Sequence, residues 1–344
     1  MKMKKLFFAA IAAVSVLFAS CTEKLDETPN APSGSGEGQE VKISLSGGKA
    51  SMLRSTFDNT AQAETWEKTI NSLTIYVYNI TNGAFTRRAL TAEELSTMSV
   101  IFCLPSSQPG DACEFTAVAN LQGEVNSRSE LLALVENSNL YNGTFASVST
   151  GAVRPGGFVM SGETTKTLST DGTPTTVSVT IRRTVAKFAF ETVIAPEFYI
   201  KYPGSAIRVN SAKIVRGAST SLVVEQATPS TGAMNWSYTQ SSDLESGVYS
   251  NLFYLFENGL TTYNNHVAVE INATYDVDGN FSTTNDQYPM TYSVDLGNET
   301  GMIFRNSYYR MQINIAGLTG DKIWVEIQVA DWEGPYNRTE NVGF

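Results

Sequence analysis

His266 is the only histidine in the chain and sits in Asn264-Asn265-His266-Val267, at the start of a strand-like run. A general base needs a nucleophile and an orienting group beside it, and no such set can be named around His266, so a structural role is the expectation. G-x-S-x-G, P-loop and H-E-x-x-H patterns are absent. No two carboxylates stand out as a glycosidase acid and base. Asp276-Val277-Asp278-Gly279-Asn280 has oxygen ligands in a short run, but its glycine is fourth where a calcium loop needs it sixth. A hairpin turn at Asp278-Gly279, between Val267–Tyr275 and Phe281, is the better reading, with weak calcium binding as the alternative. Cys103 and Cys113 flank a loop holding Pro105, Pro109 and Gly110. Ser99–Leu104 and Cys113–Asn120 read as the strands it joins. A cross-strand disulfide and two buried thiols both remain open. Apart from Cys21, His266 is the one further cysteine or histidine, so a zinc site is not expected. The last reactive feature is a peptide bond. Arg54-Ser55 ends a Gly/Ser-rich basic loop, Ser46–Ser55, where an arginine-specific protease could cut.

The N-terminus says where such chemistry would take place. Lys2, Lys4 and Lys5 precede an apolar run, Leu6–Phe18, and small residues Ala19-Ser20 follow. This is a signal peptide, residues 1–20, and the run is shorter than the roughly 20 residues a spanning helix needs. Leu17-Phe18-Ala19-Ser20-Cys21 resembles a bacterial lipobox, with Phe18 where leucine is usual. The resemblance implies that Cys21 carries lipid and becomes the first mature residue, and more than one acyl chain would hold it firmly. Residues 22–40 (TEKLDETPNAPSGSGEGQE) contain Pro, Gly, Ser and Glu and no aliphatic run. Such a segment cannot bury enough surface to order itself and reads as a disordered linker. Its acidic cluster, Glu23, Asp26 and Glu27, resembles the surface-export signals of Bacteroidetes lipoproteins. The chain carries a net charge of −10. Three lysines leave with the signal, so the mature protein is more acidic still and a poor partner for nucleic acid.

The elements that would position these groups are strands. Roughly 320 mature residues suggest two domains. Val41–Leu45 alternates, with Val41, Ile43 and Leu45 on one face. Leu73–Tyr78, Glu114–Ala119, Gly157–Met160, Val177–Ile181 and Ala186–Phe190 follow. Further on come Val209–Val215, Leu252–Phe256, Val267–Tyr275, Tyr308–Ile315 and Ile323–Val329. Short strands with Gly/Asn/Asp-rich joins argue for β-sandwiches. Helices are few: Thr91–Glu94 and Ser127–Glu130 are capping boxes opening short connections. The polar stretch Thr164–Thr176 suggests a domain boundary, giving units of 41–172 and 173–344.

Taken together, these pieces resemble FimA-like fimbrillins, the major fimbrial subunits of Bacteroidetes. The match is carried by VKISLSGGKASMLRSTFDNT from Val41, by LTIYVYN from Leu73 and by CEFTAVAN from Cys113. IRRTVAKFAF from Ile181, YYRMQINI from Tyr308 and IWVEIQVADW from Ile323 complete it. The resemblance implies an all-β chain of two transthyretin-like β-sandwich domains with a few short helices, no catalysis and no cofactor. It further implies a precursor lipoprotein on the outer membrane, cut after Arg54 by an arginine-specific protease. Residues 41–54 would then leave as a removable edge strand with its loop, and a strand from a neighbouring subunit would fill the groove. Head-to-tail joining would give a cell-surface fimbria, in which the chain is stalk or tip. Ile323–Val329 belongs either to the second domain or to the donor. A different expectation is a permanently anchored, glycan-binding surface lipoprotein, with Trp236 and Tyr238 as its sugar platform.

Overall fold

The computed structural model describes residues 38–46, 63–297, 300–319, 323–332 and 338–340. The signal peptide, Cys21, the linker up to residue 37 and the Arg54-Ser55 bond lie outside them.

Nine strands build the first unit: β1 (Gln39–Ser46), β2 (Leu73–Asn79), β3 (Phe85–Ala89), β4 (Ser99–Leu104), β5 (Ala112–Ala119), β6 (Val135–Asn137), β7 (Met160–Thr167), β8 (Thr175–Thr180) and β9 (Arg182–Arg183). They form a three-stranded sheet, β4-β1-β8, over a five-stranded sheet, β3-β2-β5-β7-β9. β6 stands apart from both sheets. Alternation drives the sandwich. Val41, Ile43, Val100, Phe102, Leu104, Val177 and Val179 face Leu73, Ile75, Val77, Phe115 and Ala117 across one core. Four short helices connect these strands: α1 (Thr65–Lys68), α2 (Ala92–Thr97), α3 (Arg128–Ala133) and α4 (Phe145–Val148). The Thr91/Glu94 capping box opens α2 as read from the sequence. At α3 the Ser127 hydroxyl caps Glu130, but the Glu130 carboxylate reaches one residue further back, to the backbone N–H of Asn126.

The second unit begins at β10 (Val185–Ile194) and α5 (Pro196–Lys201). It continues through β11 (Ala206–Gly217), β12 (Thr220–Leu222), β13 (Trp236–Ser241), β14 (Asp243–Glu245), β15 (Val248–Phe256), β16 (Ala268–Asp276), β17 (Gln287–Asp295), β18 (Ser307–Ile315), β19 (Ile323–Asp331) and β20 (Arg338–Glu340). A six-stranded sheet, β14-β15-β10-β18-β19-β20, covers a four-stranded sheet, β13-β11-β16-β17. The boundary implied by the strand pairing therefore falls near Thr184 and not at 172/173, because β8 pairs with β1 and β9 with β7. Thr164–Thr176 is polar because β7 has no outer partner beyond Ser161, so its end is wetted like a linker. At Gly162 a Cβ would lie 2.0 Å from the Thr180 carbonyl oxygen, so β7 passes the end of β8 at a distance only glycine permits.

Two further expectations need correction. Asp278-Gly279 is not a tight hairpin turn: residues 277–286 form the loop, and the return strand is β17. Ser99–Leu104 and Cys113–Asn120 are not a paired hairpin either, because β4 and β5 lie in different sheets.

The two units share a buried junction. β6 of the first pairs with β12 of the second. Ala189, Leu252, Tyr254, Phe256 and Tyr308 leave the far face of the six-stranded sheet and join the first core, with Trp332 wedged among them. The start of β10 is thus covered on both sides, which is why its sequence is nearly continuously apolar. The Asn142 side chain accepts from the Tyr254 N–H at 2.9 Å and donates to its carbonyl at 2.8 Å. Within each unit a buried ion pair stands behind the β6–β12 pairing: Arg154 meets Glu136 of β6 through two bonds of 2.7 and 2.9 Å, and Arg305 is held by Glu257 and the Ser221 hydroxyl of β12.

Candidate functional site

β1 is a central strand, not the edge strand anticipated. It runs antiparallel to β4, from Gln39↔Leu104 to Ser44↔Ser99, and parallel to β8, from Val41↔Thr175 to Ser46↔Thr180. Val41 and Ile43 are wholly buried and Leu45 nearly so, while Glu40 and Lys42 face solvent. Period-2 alternation in Val41-Lys42-Ile43-Ser44-Leu45 is enough to direct one face into the core. The neighbours of Ile43 in the two ladders are Val100 and Val177.

This arrangement has an unusual covalent economy. β1 meets both partners through long-range pairing, and residues 47–62 alone join it to the rest of the domain. Removing it would expose two rows of backbone N–H and C=O groups, on β4 and on β8. It would also open three apolar pockets spaced two residues apart. Such a slot is chemically specific for an extended strand with alternating apolar side chains.

The remaining residues named from the sequence fall elsewhere. Cys113 is a free thiol in the core, between the two sheets. Cys103 lies between core-facing Phe102 and Leu104, which puts it on the outer face of β4. The Cys103–Cys113 bridge is therefore not formed. Burial pushes the Cys113 thiol up to about 11, with a Ser107 hydrogen bond opposing and the Asp111 charge assisting.

Trp236 is 7 % exposed and donates through Nε1 to Asn139 at 2.8 Å. Its ring stacks on half-buried Tyr238 with centroids 6.0 Å apart. The pair packs with the second core, so the expected sugar platform is not at the surface. A polar cleft of about 570 Å³ opens between β7 and the end of β8, bounded by Gly162, Glu163, Thr180, Arg182, Glu225 and Gln226. No aromatic ring is among its lining residues, so it offers nothing for a sugar face to stack on.

His266 is buried, and its carbonyl accepts from Arg216 Nε at 2.6 Å. Its Nδ1 lies 3.9 Å from the Asp295 carboxylate at the end of β17. Carboxylate oxygens of Asp276, Asp278 and Asp286 come within 4.8 Å of one another. Asp276 accepts from Asn280 N–H at 2.9 Å and from Gln287 Nε2 at 3.1 Å, so its oxygens already brace the loop. Ile323–Val329 lies in β19, within the six-stranded sheet of the second unit.

One group escaped the sequence reading. Glu67 on α1 is fully buried and bonded to Lys187 of β10 at 2.8 Å. The signal was present in the other partner: a lysine inside VAKFAF requires a buried counter-charge.

Comparison with known proteins follows the same lines as the architecture. Residues 40–189 match the family model described as the major fimbrial subunit protein FimA, which bears out the resemblance over that span. No curated protein sequence matches. Among solved structures, the chain is similar to a cell adhesion protein, so described provisionally, from Bacteroides eggerthii, with 18% identity and a TM-score of 0.57. That match covers 86% of this chain and 97% of the other. A fimbrilin from Porphyromonas gingivalis gives 16% identity and a TM-score of 0.57, covering 87% and 99%. The C-terminally truncated tip fimbrial protein of the same organism gives 14% and 0.52, covering 85% and 100%. At these identities the likeness is one of fold.

Proposed function

We propose that this chain is a structural subunit of a cell-surface fimbria, stalk or tip. It is exported as a lipoprotein through Cys21, processed after Arg54 and polymerised by strand exchange. The observation that carries the proposal is the position of β1: central in its sheet, buried through Val41, Ile43 and Leu45, and joined onward only through the segment that contains Arg54. The match of residues 40–189 to the fimbrial family supports it.

The mechanism is physical, not catalytic. Before processing, β1 satisfies both neighbouring strands and fills their pockets, so the subunit cannot pair with another. A cut at Arg54-Ser55 breaks the tie. Residues 21–54 then carry away both the lipid anchor and the plug, and the slot between β4 and β8 accepts an extended segment of the next subunit. The two joining surfaces differ, so repetition extends a filament and does not close a dimer.

The test is to treat the purified precursor with an arginine-specific protease. The expected product begins at Ser55 and forms a ladder of oligomers, while Arg54→Ala stays monomeric. A product that begins at Ser55 but never associates would refute polymerisation.

A further inference from the structure

α1 is the first described element after residues 47–62, so it is the first structure the chain enters past Arg54. It belongs by sequence to the first unit, yet the side chain of its Glu67 reaches strands of the second. The Glu67 carboxylate meets Lys187 Nζ of β10 at 2.8 Å and accepts from the Tyr254 hydroxyl of β15 at 2.6 Å. Its other oxygen accepts from the Glu64 N–H at 2.7 Å, closing the capping box of α1. The Glu67 carbonyl accepts from Arg183 Nε at 2.6 Å. Arg183 also donates to Asn306 at 3.0 Å, and its guanidinium lies 4.3 Å from the Trp332 ring centroid. Trp332 in turn stacks on Tyr254, with centroids 5.8 Å apart and planes 17° apart. None of these polar partners lies on β1.

A one-turn helix has little stability of its own. Its order has to come from packing of Trp66 against the first core and from this bonded carboxylate. A buried carboxylate left alone would cost far more than it returns, so Glu67, Lys187 and Tyr254 hold their positions as a set.

We infer that α1 is an anchor: the Glu67–Lys187–Tyr254 cluster pins the chain just past the processing segment to the second sandwich, so β1 can leave while α1 and the junction between the units stay fixed. The anchor stands on geometry in the uncut chain, and its use during assembly rests on the processing reading above. Two contrasting behaviours follow. β4 and β8 should lose order when β1 departs, whereas α1, β10 and β15 should keep it.

Hydrogen–deuterium exchange of the full chain, before and after cutting by an arginine-specific protease, tests this. In the uncut wild-type chain, amides of residues 63–68 should be protected. Glu67→Gln should speed their exchange by about tenfold or more, with β13 and β17 unchanged as evidence of an intact fold. Tyr254→Phe, which removes only the hydroxyl, should give a smaller change of the same sign and serves if Glu67→Gln does not fold. After cutting, at a dilution that keeps the subunits apart and the slot empty, wild-type β4 and β8 should exchange faster and residues 63–68 should not. Unchanged exchange of 63–68 in both variants would overturn the anchor. So would loss of their protection together with β4 and β8 on cutting. If the protease does not cut, processing fails as a reading, and the uncut arm still decides the anchor.

Discussion

Ile43→Ala gives the sharpest test of β1 as a removable plug. Ile43 is wholly buried, its face set by alternation and its neighbours by the two ladders with Val100 and Val177. The change removes three carbons, worth about 0.8 kcal/mol each in transfer, or roughly 2.4 kcal/mol. A residual cavity adds to this, so about 3 kcal/mol is expected, inside the usual range for such truncations. At about 1.4 kcal/mol per decade, that is a loss of roughly 100-fold in the hold of the domain on β1. After cutting at Arg54, the excised segment is retained by non-covalent contacts alone, so its release should speed up by that factor. A fluorescent label on the excised segment, followed by gel filtration, reads the release rate. Urea unfolding of the uncut chain reads the same loss as a lower midpoint. Lys42→Ala, one residue away and exposed, should change both by little, within about 0.5 kcal/mol. If Ile43→Ala leaves release and midpoint at wild-type values, β1 is not held by its pockets and the reasoning fails.

Two other outcomes follow from groups inside the fold. Because burial lifts the Cys113 thiol to about 11, its alkylation by iodoacetamide at pH 8 should be about two orders of magnitude slower in the native chain than in denaturant; native labelling at the denatured rate would show that Cys113 is not in the core. Burial by itself would raise the Glu67 carboxyl, but the Lys187 ammonium and the hydrogen bonds from Lys187 and Tyr254 outweigh it and hold the group below the usual carboxylate range. A lowered folded-state value means that its stabilisation is present at neutral pH and lost as pH falls through that value. The urea-midpoint gap between wild type and Glu67→Gln, expected to reflect about 3 kcal/mol at pH 7, should therefore narrow in acid. A gap that stays constant down to pH 3, in chains still folded there, would contradict this coupling.

The strands easiest to read in the sequence are those with one wet face and one dry face. Val41–Leu45 and Val177–Val179 alternate cleanly, and β10 announces itself through VAKFAF. β17 is harder to recognise because Pro289 removes a donor, which an edge strand tolerates. β3 is hidden by the absence of a buried face: Phe85-Thr86-Arg87-Arg88 is half-exposed throughout. The unit boundary is hard to read for a related reason, since the tail of β7 is as polar as a linker while still hydrogen-bonded to β5. At the site, alternation marks Val41, Ile43 and Leu45 as core residues. What it cannot convey is that β1 sits between two strands, because its pairing with β8 spans well over a hundred residues of chain. Glu67 in Glu64-Thr65-Trp66-Glu67-Lys68 looks like any solvated charge; only the misfit lysine of β10 hints that a carboxylate must be buried opposite.

The mixed pairing of β1 carries one more implication. Since β1 opposes β4 and runs with β8, those two strands oppose each other. Any guest laid between them meets one parallel and one antiparallel neighbour, whichever way it points. The backbone frame is thus blind to direction, like a keyhole that takes a key from either side. Polarity must be written in the teeth: in the unequal sizes of the cavities that Val41, Ile43 and Leu45 fill, and in their order.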